Sequence, residues 1–433
     1  MTKPHPSPWP LLPLLTFLAL FLGVGTYLSL TGVDYAFYKL KAPVAVLPAL
    51  IVAVLIAKDS LNRTVEQFLQ GCGHSNIMAM CIIYLLAGAF GVVAKATGGV
   101  DATVALGLDL VPSSLLLPGL FVIAAFIATA MGTSMGTIAA LGPVALGLAQ
   151  QGELSLGLTA GALLSGAIFG DNLSIISDTT IAATRTQGCD MKDKFRANFR
   201  LALPAALLTL LWLALASNGN APVQGDDYNL LAVVPYVAIL VLAIMGLNVF
   251  AVLILGIVLA GLVGFYQGNY PLDKYANDIY NGFTGMQEIF ILSLLMGGLA
   301  YLMEKQGGLA WLAQKLGRGG SRRSGELAIA SLVFSTNFCT ANNTISIIVN
   351  GQLAKDIAEQ SGISPVRSAS LLDIFACINQ ALIPWGAQAL LLGATFSLSP
   401  IEVVSHSGYV LLLAAITLAT LFVAPVRKWL VKH

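Results

Sequence analysis

The sequence predicts an all-α polytopic membrane protein built from two inverted-topology repeats, with broken or re-entrant helices meeting at the bilayer midplane. Three observations carry that expectation. The 433 residues are 57% hydrophobic and 10% charged, with a mean hydropathy of +0.83, whereas soluble domains carry about 25% charged residues. Blocks of Ser, Thr, Asn, Asp and Gly interrupt apolar stretches long enough to cross a bilayer, which takes about 20 residues. Polar blocks in the second half repeat those of the first at one fixed separation.

Apolar segments fall at 11–31, 43–57, 77–96, 113–131, 133–150, 156–183, 201–217, 230–246, 248–266, 287–304, 326–341, 343–360, 365–393 and 409–425. The first is too long for the 7–15-residue core of a signal peptide, and no cleavage pattern follows it, so it reads as a retained span. Segments 133–150, 326–341 and 343–360 are short or polar and read as re-entrant arms. The 43 glycines suit helices that pack closely or break.

Loop charge sets the orientation. Arg185, Lys192, Lys194, Arg196 and Arg200 follow one span. Lys305, Lys315, Arg318, Arg322 and Arg323 follow another, and Arg427, Lys428 and Lys432 end the chain. Loops 97–112, 218–229 and 394–408 hold no Lys or Arg. The positive-inside rule places the first three groups in the cytoplasm and these loops outside. The expectation is a multi-pass protein of the cell (inner) membrane with both termini cytoplasmic.

Gly98-Gly99 and Gly307-Gly308 lie 209 residues apart, as do Gly88 and Gly297. The same offset pairs Thr133-Ser134 with Asn342-Asn343, Thr137 with Ser346, and Gly170-Asp171 with Asn379-Gln380. One offset serving separate blocks indicates an internal repeat, divided as 11–225 and 226–425. Loop 97–112 is assigned outside and its partner 306–321 inside. Secondary transporters use this inverted arrangement, with substrate sites at the midplane between broken helices.

The chemistry sits in four blocks. Residues 169–184 read FGDNLSIISDTTIAAT, holding Asp171, Asn172, Ser174, Ser177, Asp178, Thr179 and Thr180 in apolar surroundings. Their partner, 379–388, reads NQALIPWGAQ, where Pro384 and Gly386 oppose a continuous helix. The other two blocks are GTSMGT at 132–137, with Thr133, Ser134 and Thr137, and TNFCTANNTIS at 336–346, with Thr340, Asn342, Asn343 and Thr344. Taken singly, such residues cap helices or pack against neighbours. Clustered in repeat-related places, their oxygens and the carbonyls of broken helices suit a hard cation. The helix N-termini they expose suit an anionic group.

Asp373 is a further intramembrane acid, fit to hold a cation or a proton. Lys95 and Glu304 sit at span ends and snorkel, and Glu288 does the same near an outer end. His74 and His406 are assigned no role, and Trp385 is placed at the wall of a solute pocket. No Walker A or H-E-x-x-H motif occurs, and the five cysteines show no metal or disulfide spacing. A net charge of +1 gives nucleic-acid binding no support.

The string GDNLSIISDTT, preceded by GTSMGT and followed by a basic loop, resembles the NhaC-type sodium/proton antiporter family of the ion-transporter superfamily. TANNTIS and IPWGAQ extend the resemblance over most of the chain. The family commonly has Pro after the first Ser of the block, where this chain has Ile175. The resemblance implies Na⁺-coupled secondary transport by alternating access, with Na⁺ as coupling ion at Asp171 and Asp178 and no other cofactor. Asn172, Ser174, Ser177, Thr179 and Asp373 complete the expected ion and proton ligands. Thr133, Ser134, Thr137, Thr340, Asn342, Asn343, Thr344, Asn379 and Gln380 line the expected path. The leading reading is Na⁺/H⁺ antiport, and the alternative is a Na⁺-coupled amino-acid or carboxylate carrier. The expected partners are Na⁺ and H⁺, or a small organic solute, with the lipid bilayer. A homodimer is left open.

Overall fold

The computed structural model describes residues 5–31, 39–110, 112–217, 229–268, 270–317, 321–423 and 430. Among them the only regular elements are helices. The first half forms α1 (Leu12–Leu30), α2 (Ala42–Ile56), α3 (Leu61–Cys72), α4 (Ser75–Ala96), α5 (Gly99–Leu110), α6 (Leu116–Met131), α7 (Ser134–Gln151), α8 (Leu156–Leu173), α9 (Asp178–Gln187) and α10 (Met191–Ala216). The second forms α11 (Leu230–Ile244), α12 (Val249–Tyr266), α13 (Leu272–Gly285), α14 (Gln287–Lys305), α15 (Gly308–Leu316), α16 (Arg322–Thr340), α17 (Asn343–Gln360), α18 (Pro365–Leu382), α19 (Ala387–Phe396), α20 (Pro400–Ser405) and α21 (Gly408–Phe422). Arg318, Arg427, Lys428 and Lys432, nearly all of loop 218–229 and the boundary between 225 and 226 lie outside the described residues.

The repeat is written into the helix ends. α7 and α17, α8 and α18, and α9 and α19 start and stop 209 residues apart. The chain turns left-handed at Gly132 (φ 71°) after α6 and at Ala341 (φ 49°) after α16, its partner by the same offset. A left-handed alanine costs roughly 1–2 kcal/mol. The turn is kept in the second half despite that cost, so the backbone shape itself is what both halves share.

Two contacts locate the symmetry axis. Cys81 donates its thiol to the Phe290 carbonyl at 3.7 Å, and Ser293 Oγ donates to Tyr84 Oη at 3.3 Å. Each joins a residue to its own partner at sequence separation 209, which happens only next to a two-fold axis. Around them, Ile77 of α4 packs on Gly297 of α14, and Gly88 on Met286. As numbers rise along α4 they fall along α14, so the two helices run antiparallel. The axis exchanging them lies across the helices and hence in the membrane plane. The topology is inverted.

Among the described residues, seven segments are long and apolar enough to span. Two of them, Leu156–Gln187 and Pro365–Phe396, contain a break. The expected full crossing 113–131 is corrected. α6 turns left-handed at Gly132 and runs almost directly into α7. It is one arm of a re-entrant hairpin with α7, as α16 is with α17. Loop 97–112 carries the short helix α5, and α10 starts ten residues before its expected span, at Met191.

Close packing sets the hairpin against the broken helix. A methyl group on Gly166 would land on the Phe121 carbonyl, and one on Gly170 on the Ala125 carbonyl, so α6 lies directly on α8. Its tip, Gly132, then touches Ile176 and Ser177 in the break between α8 and α9. Gly166→Ala is therefore expected to destabilise by about 1–3 kcal/mol through overpacking. Gly119→Ala, with open space around it, should be neutral or stabilising. Unfolding titrations in detergent that rank the two equally would refute this packing.

Candidate functional site

The residues of the first break explain its shape. Ser174 is extended, ends α8, and accepts from Ile176 N at 3.3 Å through its hydroxyl. Ser177 caps α9 by accepting from Thr180 N at 3.3 Å. Thr180 Oγ1 donates to the Ser174 carbonyl at 2.7 Å. Three hydroxyls thus satisfy groups that a continuous helix would satisfy itself, as a low-dielectric surrounding demands. The break forms with Ile175 in place of the family's proline. In the second break, Ile383 and Gly386 are extended around Pro384.

Both breaks and both hairpin tips meet at one cavity of about 140 Å³. Its walls are repeat-related: Thr133 with Asn342, Ser134 with Asn343, Met135 with Thr344, Asp171 with Gln380, and Thr179 with Gln388. Thr133 and Asn342 cap α7 and α17, accepting from Gly136 N at 3.4 Å and Ile345 N at 2.9 Å. α4 closes the cavity with Asn76, Ala79 and Met80.

The symmetry ends at charge. Asp171 faces Gln380, and Asp178 has Ala387 as its partner by the offset. Asp171 is buried and accepts from Ser134 N at 3.2 Å and Ser134 Oγ at 2.7 Å. That hydroxyl accepts from Gln388 Nε2 at 3.1 Å, and Gln388 Oε1 accepts from Gln380 Nε2 at 2.9 Å. The chain of bonds links the acid of one repeat to the amides of the other. Gln380 Oε1 is buried with no hydrogen-bond partner. Asp178 is exposed at the cavity wall, in the first turn of α9, where the helix dipole favours its charge.

Other expected residues fall elsewhere. Ser174 and Ser177 hold the break together. Thr137 Oγ1 donates to the Thr133 carbonyl at 3.0 Å inside α7. Asn379 donates to the Phe334 carbonyl. Thr340 lines a neighbouring cavity. Asn172 and Asp373 point away from the cavity to a buried lysine, Lys194. Lys194 was counted as a cytoplasmic loop charge; it is 1% exposed and inside the bundle. Trp385 is corrected too: it lies edge-on to Phe17 and Phe338, outside the cavity wall. Gln388 is the offset partner of Thr179, the signal that would have marked it, whereas nothing in sequence marked Lys194 or Asn198.

Two further cavities lie on one side of the site. A 240 Å³ cavity shares Asn76 with the site, and a 1110 Å³ cavity shares Tyr301, Glu304 and Val349 with the 240 Å³ one. His74 and Glu304 line the 240 Å³ cavity. Their repeat partners, Phe283 and Lys95, line none of these three cavities.

The sequence of this fold matches the model of the Na⁺/H⁺ antiporter family over residues 7–217 and 228–425. The chain belongs to that family. It is 25% identical over 365 residues to a malate-2H⁺/Na⁺-lactate antiporter of Bacillus subtilis, covering 78% of this chain and 76% of the relative. It is 25% identical over 392 residues to the Na⁺/H⁺ antiporter NhaC of the same organism, covering 81% and 84%. It is 24% identical over 429 residues to the arginine/ornithine antiporter ArcD of Halobacterium salinarum, covering 90% and 87%. Family membership makes this a multi-pass membrane transporter.

Ser134→Ala tests the network. It deprives Asp171 of one bond and leaves the Gln388 amide without an acceptor, which costs about 1–3 kcal/mol. A detergent-unfolding midpoint equal to that of the parent would show that the relay is not formed.

Proposed function

We propose that the chain exchanges Na⁺ for H⁺ by alternating access, with Asp171 and Asp178 taking either cation. One observation carries the reading. The cavity wall holds two carboxylates and no Lys, Arg or His. Uncompensated charge at membrane depth is costly, so a mobile cation must serve there, and H⁺ and Na⁺ compete for the same oxygens. The neutral oxygens of Thr133, Thr179, Asn342, Asn343 and Gln380 suit a hard ion.

A second reading is a Na⁺-coupled amino-acid or carboxylate carrier. The amides of Asn342, Asn343, Gln380 and Gln388 favour it, as does a cavity of about 140 Å³, which exceeds one bare ion. The relatives named for malate and lactate or for arginine and ornithine lend it support. In both readings the repeats are 11–225 and 226–425, with the exposed basic residues that follow α9 and α14 and both termini in the cytoplasm. The two side cavities then lie on the inward side.

In proteoliposomes, Asp171→Asn and Asp178→Asn are each expected to abolish Na⁺-driven proton flux while the protein stays in the membrane. Normal flux in both would refute the site. Under the first reading, Asn343→Ala raises the apparent Na⁺ constant and leaves the pH midpoint nearly unchanged. Under the second, it weakens solute binding by roughly 5- to 150-fold, from about 1–3 kcal/mol. Membrane-impermeant thiol labelling should reach Asp190→Cys from inside and Pro400→Cys from outside. Labelling of both from one side would overturn the orientation.

A further inference from the structure

The break that presents Asp171 and Thr179 to the cavity turns the next residue of each pair, Asn172 and Thr180, to a different place. There the ammonium of Lys194 donates to the Asn172 carbonyl at 2.8 Å, to Thr180 Oγ1 at 2.7 Å, and to Asp373. A lysine has three protons to give, and these three oxygens use them all. The Asn172 carbonyl is free because the helix stops: Ile176 N, which would bond it in a continuous helix, bonds Ser174 Oγ instead. Asp373, 0% exposed, also accepts from Asn172 Nδ2 at 3.0 Å and Asn198 Nδ2 at 2.8 Å. Beside it, Asn198 Oδ1 is buried without a partner.

One carboxylate, one backbone carbonyl, one hydroxyl and a spare amide oxygen form the donor set of a hard monovalent cation. The scaffold does not need this arrangement. Lys194, Asp373 and Thr180 correspond by the repeat offset to Val403, Leu164 and Ala389, and the second break forms with those apolar side chains.

We infer that this cage is a second cation site of the fold, permanently filled by the tethered ammonium of Lys194, so that the chain binds mobile Na⁺ only at the cavity. Lys194 thereby sets how many ions move per cycle. The inference rests on the Na⁺ reading of the cavity only for that count. The buried Asp373 charge is compensated at every stage, whatever occupies Asp171 and Asp178. Asp171, Cys377 and Cys189 are other ionisable groups near the pair, with Tyr409 close to Asp373.

The test is a count of bound Na⁺. Purified full-length protein in detergent is equilibrated with radioactive Na⁺ to saturation at alkaline pH. Lys194→Met, of similar length but uncharged, is expected to bind one Na⁺ more per chain than the parent. Adding Asp373→Asn should abolish the gain, and Lys194→Arg should not show it. An unchanged count in a folded Lys194→Met protein overturns the inference. Should that variant unfold, Na⁺ but not choline is expected to restore its helical signal and raise its melting point; failure of Na⁺ to do so also overturns it. Asp171→Asn separates the two claims. Loss of one Na⁺ there with no gain in Lys194→Met would sink the cage and keep the cavity. A gain in Lys194→Met with no loss in Asp171→Asn would do the reverse.

Discussion

The molecule is governed by a single constraint: a helix that stops inside the membrane must find other partners for its backbone. Four such stops occur among the described residues, and three of them are closed by polar side chains, while backbone bonds close the break at Ile383–Gly386. Ser174, Ser177 and Thr180 close one, while Thr133 and Asn342 cap two more. The Asn172 carbonyl takes an ammonium. Polar residues at this depth are justified because an unsatisfied group there costs several kcal/mol. Once they are in place, they supply the oxygens that a dehydrated cation needs.

Symmetry then brings the four stops together. An axis lying between α4 and α14 carries one tip and one break onto their partners, so the cavity is lined twice by the same backbone. The two halves differ in what they hang on that backbone. Asp171 stands opposite Gln380, and Lys194 opposite Val403. At the cavity wall, charge is carried by the first half alone. That asymmetry turns a symmetric frame into a selective one: the amides of the second half orient an acid that only the first half provides, through Ser134 and Gln388.

Much of this was legible in the sequence. The 209-residue offset between Gly98 and Gly307 foretold helix ends that agree residue for residue. Asp171, Asp178, Ser134 and Gln380 were found because polar residues in an apolar run stand out. Lys194 was not, because a lysine among Arg185, Lys192 and Arg196 reads as solvated loop; only the early start of α10 carries it indoors. Trp385 was misplaced for a related reason: a large aromatic beside a break fits a pocket wall or a core equally well, and Phe17 and Phe338 decide for the core. The arm 116–131 passed for a crossing because apolar composition reports burial and does not report which way the chain leaves.

The central claim is that Na⁺ and H⁺ compete for the same carboxylates. The most direct measurement adds NaCl to the purified protein in weakly buffered detergent with a pH indicator. The account predicts stoichiometric proton release with Na⁺ and none with choline chloride, since an ion that takes protonated ligands must displace their protons. Saturable Na⁺ binding with no proton released would contradict it.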